Sequence, residues 1–149
     1  MDETNLKILR ILQEKARIPN IEVSRLINLA PAAVLERIRK MEKQGIIDGY
    51  EVRLNPEQFG YAQIVFMHIH MLPGSDQNQA AELLSSRKEI QEVHYISGED
   101  CFLVKLRTRN SAELNKLLQE LLQSIDGVRT TRTFTVLSTK KETAQIPLD

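Results

Sequence analysis

The sequence predicts an α+β fold: an N-terminal three-helix (winged) helix-turn-helix followed by a C-terminal ferredoxin-like βαββαβ domain. Three observations predict it. Apolar residues recur at helical spacing through residues 1–44. Residues 61–138 alternate β-rich and helical stretches in the order β-α-β-β-α-β. Between them, Asn55-Pro56 breaks either pattern. The implied organisation is a helical domain at 1–48, a linker strand and hinge at 49–60, the α+β domain at 61–140 and a partly disordered tail at 141–149.

Leu6, Ile8, Leu9 and Leu12 place an amphipathic helix over about Asp2 to Glu14. Ile18-Pro19 interrupts it, and Asn20 is expected to cap a second helix with Val23, Leu26 and Ile27 facing inward. After the turn Asn28-Leu29-Ala30, Pro31 suits a first helical position. The third helix then runs to about Gln44, with Val34, Leu35, Ile38 and Met41 as its apolar stripe and Gly45 as its stop. Ile46 to Leu54 reads as a β-wing or an extended linker strand. In the second half, Tyr61–Met71, Val93–Ser97, Cys101–Arg107 and Val128–Ser138 read as strands. A helix over Gln77–Arg87 buries Ala80, Leu83 and Leu84. Another, capped by Ser111, runs to Ser124 and buries Leu114, Leu117, Leu118, Leu121 and Leu122.

The chain has 149 residues, of which 42% are hydrophobic and 27% charged, a balance that suits folded rather than disordered protein. No apolar run reaches the ~20 residues that span a bilayer, and the charged start lacks the apolar core of a secretory signal. A cytoplasmic protein is expected, with no membrane partner. Cys101 is the only cysteine, so neither an intrachain disulfide nor a cysteine zinc cluster can form. Net charge is zero, but residues 1–50 hold nine Lys/Arg against seven Asp/Glu, and the remainder eleven against thirteen. Nucleic-acid affinity would therefore need a concentrated patch, or several copies of one.

Three short helices with a tight turn before the third describe a module whose third helix enters the DNA major groove. The face it offers carries Glu36, Arg37, Arg39, Lys40 and Lys43, and its N-terminal Pro31, Ala32 and Ala33 let the backbone approach the bases. A charge run on an isolated helix is more often a solvated face. The combination of three helices, a Gly stop and a wing favours double-stranded DNA.

These residues carry a family resemblance. Asp2-Glu3-Thr4-Asn5-Leu6-Lys7-Ile8-Leu9, Ala16-Arg17-Ile18, the run from Leu29 to Glu42, and Gly45-Ile46-Ile47-Asp48-Gly49-Tyr50 resemble the N-terminal pattern of the Lrp/AsnC (feast/famine) regulators. Ser97-Gly98-Glu99-Asp100 and Gly127 to Thr133 resemble that family's effector-domain signatures. The resemblance implies a transcription regulator, activating or repressing. It implies a homodimer formed by the second half, with dimers assembling into octamers or other rings, and an amino-acid effector bound between dimers near the turn joining the second and third strands. Three positions depart from the pattern. Asn5 stands for the usual Asp, Ala30 for the usual Ser that would cap the third helix, and Cys101 for the second acid of the turn.

A zwitterionic effector needs an acceptor for its ammonium and donors for its carboxylate. Glu99 and Asp100 offer the first, and amides around Ser97 and Gly98 a donor concavity. Thr131 and Thr133 offer hydroxyls on one strand face, and Tyr95 a wall. The plain alternative is a hairpin turn beside β-forming threonines. His68, His70 and His94 are a possible zinc set, but such residues more often lie on an exposed or subunit-facing sheet surface, so neither metal nor cofactor is expected. Cys101 and His94 lack an orienting third group, so no catalysis is expected either. Two other functions remain open: an architectural nucleoid-type protein that wraps DNA without an effector, and a metabolite-binding α+β domain whose helical module binds protein.

Overall fold

The computed structural model describes all residues, Met1–Asp149. It divides into two compact units, Met1–Arg53 with Lys141–Asp149, and Leu54–Lys140.

The first unit holds α1 (Glu3–Glu14), α2 (Asn20–Ile27) and α3 (Pro31–Lys43). Their shared core is Ile8, Leu9, Leu12, Val23, Val34, Ile38 and Met41. Asp2 caps α1, its side chain accepting from the Asn5 amide at 2.7 Å. Asn20 does not cap α2: it is the first helical residue, and Pro19 occupies the cap position without a side-chain bond. Inward-facing residues of α2 also differ from expectation. Leu26 is 66% exposed, and Ser24 is buried instead, its hydroxyl donating to the Ile21 carbonyl. Val23, Ser24 and Ile27 share the face that meets the core, and Leu26, about 100° of helical rotation before Ile27, falls outside it. Asn28 ends α2 in the left-handed region, at φ 55°, which Asn tolerates better than most residues. α3 ends in a Schellman motif: Gly45, at φ 68°, donates to the Glu42 carbonyl and Ile46 to that of Met41.

No wing strand forms. Residues 46–54 run as turn and irregular backbone without a pairing partner, and one extended segment cannot satisfy its backbone groups alone. The tail also departs from expectation, because it is docked rather than disordered. Leu148 packs onto the three-helix core. Gln13 and the tail exchange side-chain and backbone hydrogen bonds at Gln145 and Ile146, and Arg10 donates to the Leu148 carbonyl.

The second unit opens with a 3-10 turn, Pro56–Phe59, and continues β1 (Gln63–Met71), α4 (Gln77–Ser85), β2 (Ile90–Ile96), β3 (Cys101–Thr108), α5 (Ser111–Ser124) and β4 (Val128–Thr135). The strands form one antiparallel sheet in the order β2-β3-β1-β4, the ferredoxin-like order. α4 and α5 cover one face. Ala80, Leu84, Leu114, Leu117 and Leu121 meet Val65, Met67, Ile69, Phe102, Val104 and Leu106 there. Leu122 lies outside this core at 48% exposure. The cap of α5 is Asn110, not Ser111: its side chain accepts from the Glu113 amide, while the Glu113 carboxylate accepts from the Arg109 amide. Strand alternation sends Phe66, His68 and His70 of β1 to the other face, away from α4 and α5.

Candidate DNA-binding helix and ligand-binding domain

α3 turns by about 100° per residue, so burial of Val34, Ile38 and Met41 fixes which side chains point away. Ala32, Glu36, Arg39 and Lys43 form the opposite row, with Lys40 beside it, and all five are exposed. Arg39, Lys40 and Lys43 form no ion pair within the chain. Arg37 stands on the flank next to the buried stripe and turns inward to α1. Its Nη1 donates to Asp2 Oδ2 at 2.7 Å and to Asn5 Oδ1 at 2.9 Å. In the free chain Arg37, expected in the DNA-facing row, thus braces α1 against α3 through Nη1. The Arg37 guanidinium, with the Asn5 amide, in turn holds the Asp2 carboxyl below its ordinary value. Helical phase contained this signal, since Arg37 is three residues from Val34 and one from Ile38.

The start of α3 bears on the same surface. Ala30 has the extended cap conformation but offers no side-chain acceptor, and Pro31 removes one amide from the first turn. The amides of Ala32 and Ala33 remain beside the exposed N-terminal end, where an anion is favoured. At the other end, Tyr50 donates its hydroxyl to Glu42 Oε1 at 2.9 Å. Desolvation, aided by that carboxylate, pushes the Tyr50 phenol up to about 12.

In the second unit, Gly98 at φ 88° and Asp100 at φ 48° turn the chain between β2 and β3. The residues expected to line an effector pocket are not gathered into one pocket within a single chain. Glu99 reaches the uncovered sheet face. His68 Nδ1 donates to its Oε2 at 3.1 Å, and His70 Nε2 lies 3.4 Å from the same oxygen. Thr131 and Thr133 pair with Ile69 and Met67 and so face the helices. Thr131 lines a small apolar crevice there with Met67, Ile69, Leu118, Leu121, Leu122, Ile125 and Val128. Tyr95 also faces the helical side, its ring edge-on to Phe102 and its hydroxyl accepting from Gln77 Nε2 at 3.2 Å. Ser97, Gly98 and Asp100 are exposed at the turn, and the Asp100 carboxylate has no partner in the chain.

Sequence reasoning did not anticipate the company kept by the two strand histidines. Cys101 is fully buried, one step beyond the Ile69–Phe102 pair and thus across from His70. Burial above all, and then Glu99 and Asp100, push its thiol up. His94, the third histidine of the possible zinc set, is elsewhere, with Nε2 donating to Glu92 at 3.0 Å. That bond, with a further one from Lys105, holds the Glu92 carboxyl below its usual range.

A helix-turn-helix with an open cationic row, joined to a ferredoxin-like domain with a free sheet face, defines a DNA-binding regulator with a ligand-binding module. Comparison with known proteins gives the same division. Residues 1–48 match the family model described as winged helix-turn-helix DNA-binding, and residues 64–146 match the Lrp/AsnC ligand binding domain. The HTH-type transcriptional regulator FL11 of Pyrococcus horikoshii is 38% identical over 148 residues, covering 99% of this chain and 97% of that protein. A transcriptional regulator of Neisseria meningitidis, solved as an L-Met complex, superposes with a TM-score of 0.95 at 27% identity, covering 100% of this chain and 97% of that one. The feast or famine regulatory protein from M. tuberculosis, complexed with L-methionine, gives 0.89 at 28% identity, covering 97% of each chain. The chain belongs to the Lrp/AsnC family of transcription regulators. No helix is long and apolar enough to cross a membrane.

Proposed function

We propose that this regulator reads double-stranded DNA through the outward row of α3, assembles through its second unit, and responds to an amino acid. The observation that carries the DNA reading is the exposed, ion-pair-free set Arg39, Lys40 and Lys43, opposite the buried stripe of α3. Ala32 and Ala33 admit the backbone to the groove floor, and Glu36 accepts from a base amino group or rejects a misplaced phosphate. Arg37 acts indirectly, by fixing the angle of α3 on α1.

Assembly uses the uncovered face of the sheet, which holds Phe66, Leu103 and Phe134 among charged neighbours. Phe134 is 42% exposed in the single chain, and a second copy supplies the missing cover. Dimers then pair further, toward an octamer or other closed assembly. The effector reading rests on the L-Met complexes of two structural relatives and on the geometry of the turn. Asp100 supplies an acceptor for an ammonium, and exposed amides near Gly98 supply donors for a carboxylate. Thr131 and Thr133, on the far face of the sheet, reach such a ligand only from a neighbouring copy.

Electrophoretic mobility and footprinting on the chain's own promoter region test the DNA reading. Arg39→Ala with Lys43→Ala abolishes the specific footprint while the oligomer, measured by light scattering, persists. A footprint unchanged in that double variant overturns the assignment of α3. A thermal-shift screen with L-methionine and the other amino acids tests the effector: a ligand at about 100 times its Kd stabilises by about 2.7 kcal/mol. No shift with any of them removes the amino-acid reading.

A further inference from the structure

His68, Glu99 and Cys101 place one ligand atom each within 4.8 Å of one another, and His70 adds a fourth donor 3.4 Å from the shared Glu99 oxygen. We infer that His68, Glu99 and Cys101, with His70 beside Glu99, form a binding site for a divalent transition metal of the zinc class, at the end of the sheet beside the Gly98–Asp100 turn. The reading goes beyond DNA and amino-acid binding, and assigns Glu99 to the metal instead of to an effector ammonium.

The donors come from two adjacent strands and the turn that feeds one of them. His68 and His70 share a face of β1 because they are two apart. Antiparallel register brings Cys101 opposite His70, and the turn swings the longer Glu99 side chain back over both rings. Two imidazoles therefore converge on a single carboxylate oxygen. Tetrahedral zinc, with bonds of about 2.0–2.3 Å, holds its donor atoms roughly 3.3–3.8 Å apart. Small rotations of His68, Glu99 and Cys101, already inside 4.8 Å of one another, reach that spacing, and a water can complete the shell where His70 does not.

Donor chemistry selects the metal. Thiolate and imidazole disfavour magnesium and calcium, which prefer all-oxygen shells, and suit zinc or cobalt. Binding replaces the thiol proton of Cys101 and joins β1 to the start of β3 through one ion. The turn that carries Asp100 is then anchored at both ends. His94 and Glu92, paired with each other on β2, take no part.

The test uses the full-length untagged chain, stripped by a chelator and titrated with zinc by calorimetry and with cobalt by absorbance. The expected result is one saturable site per chain, with a sulfur-to-cobalt charge-transfer band. Cys101→Ser abolishes that band, His68→Gln and Glu99→Gln each weaken zinc binding by at least about tenfold, and His94→Ala leaves both unchanged. Circular dichroism of each stripped variant separates ligand loss from misfolding, and His68→Gln, on a partly exposed ring, serves if Cys101→Ser fails to fold. Absence of saturable binding overturns the inference. So does binding that survives both Cys101→Ser and His68→Gln; Glu99 is then only a hydrogen-bond acceptor for two rings.

Discussion

At the scale of single residues, three positions give quantitative tests. Ala30 has the backbone of a helix cap and lacks the acceptor. Ala30→Ser is expected to stabilise the protein by about 1 kcal/mol in denaturant titrations, since α3 gains the bond its amides lack. Gly127 is constrained twice. Its φ is +86°, and an added Cβ collides with Ser75 Oγ and Ser75 Cβ. Gly127→Ala therefore combines left-handed strain with a clash, and is expected to cost roughly 2–5 kcal/mol. Ser75→Gly removes the clash together with the Ser75 hydroxyl's bonds to the Leu72 and Gly127 carbonyls, so Gly127→Ala measured in that background reports the left-handed strain, and the double-mutant cycle gives the rest. Tyr50 gives a pH test. Desolvation and Glu42 favour its neutral form, so the stabilisation it provides is complete below the unfolded value of 10 and is lost as pH rises through about 12. The difference absorbance of wild type and Tyr50→Phe should show that late phenolate transition, and Glu42→Gln should bring it lower.

At the scale of elements, the tail acts as part of the helical unit. Leu148 packs on the core, and Gln13 anchors Gln145 and Ile146 by both side-chain and backbone groups. Leu148→Ala is expected to lower the stability of the three-helix unit by about 1 kcal/mol, given its partial burial; an unchanged melting transition would show the tail to be a passenger. Elements with strong periodicity were legible from sequence, and the tail was not. α1, α3 and α5 each carry a repeated apolar stripe, and the strands alternate. The docking of Leu148 depends on a pairing more than 130 residues away, to which no local pattern points. That residues 46–54 form no strand has the same origin, because a strand is defined by a partner and not by its own residues. Caps were misplaced by one residue at Asn20 and Ser111: before α5 two adjacent residues could serve and geometry chose Asn110, whereas the cap position of α2 falls on Pro19, which has no side-chain acceptor. The metal cluster was hidden for a related reason. His-x-His was visible as two donors on one strand, but Glu99 and Cys101 join them only through register.

At the scale of the whole molecule, the problem is how a chain with no net charge holds DNA. The exposed Arg39, Lys40 and Lys43 are too few for strong phosphate binding by one copy, whereas linked copies multiply them through effective concentration. Two predictions follow from geometry and one from charge. Half-sites spaced by about one helical turn, roughly 34 Å, should bind best, and inserting about 5 base pairs should rotate one site away and weaken binding sharply. Lys43→Ala should reduce the salt slope by about 0.9 for each copy engaged on a phosphate, equally on specific and competitor DNA. Arg37→Met should leave that slope unchanged while loosening α1 from α3, because the guanidinium is spent on Asp2 and Asn5. Anisotropy titrations over a series of salt concentrations separate these outcomes. An equal loss of slope in Arg37→Met would mean that the Asp2 bond opens on DNA and that Arg37 joins the phosphate-binding row after all.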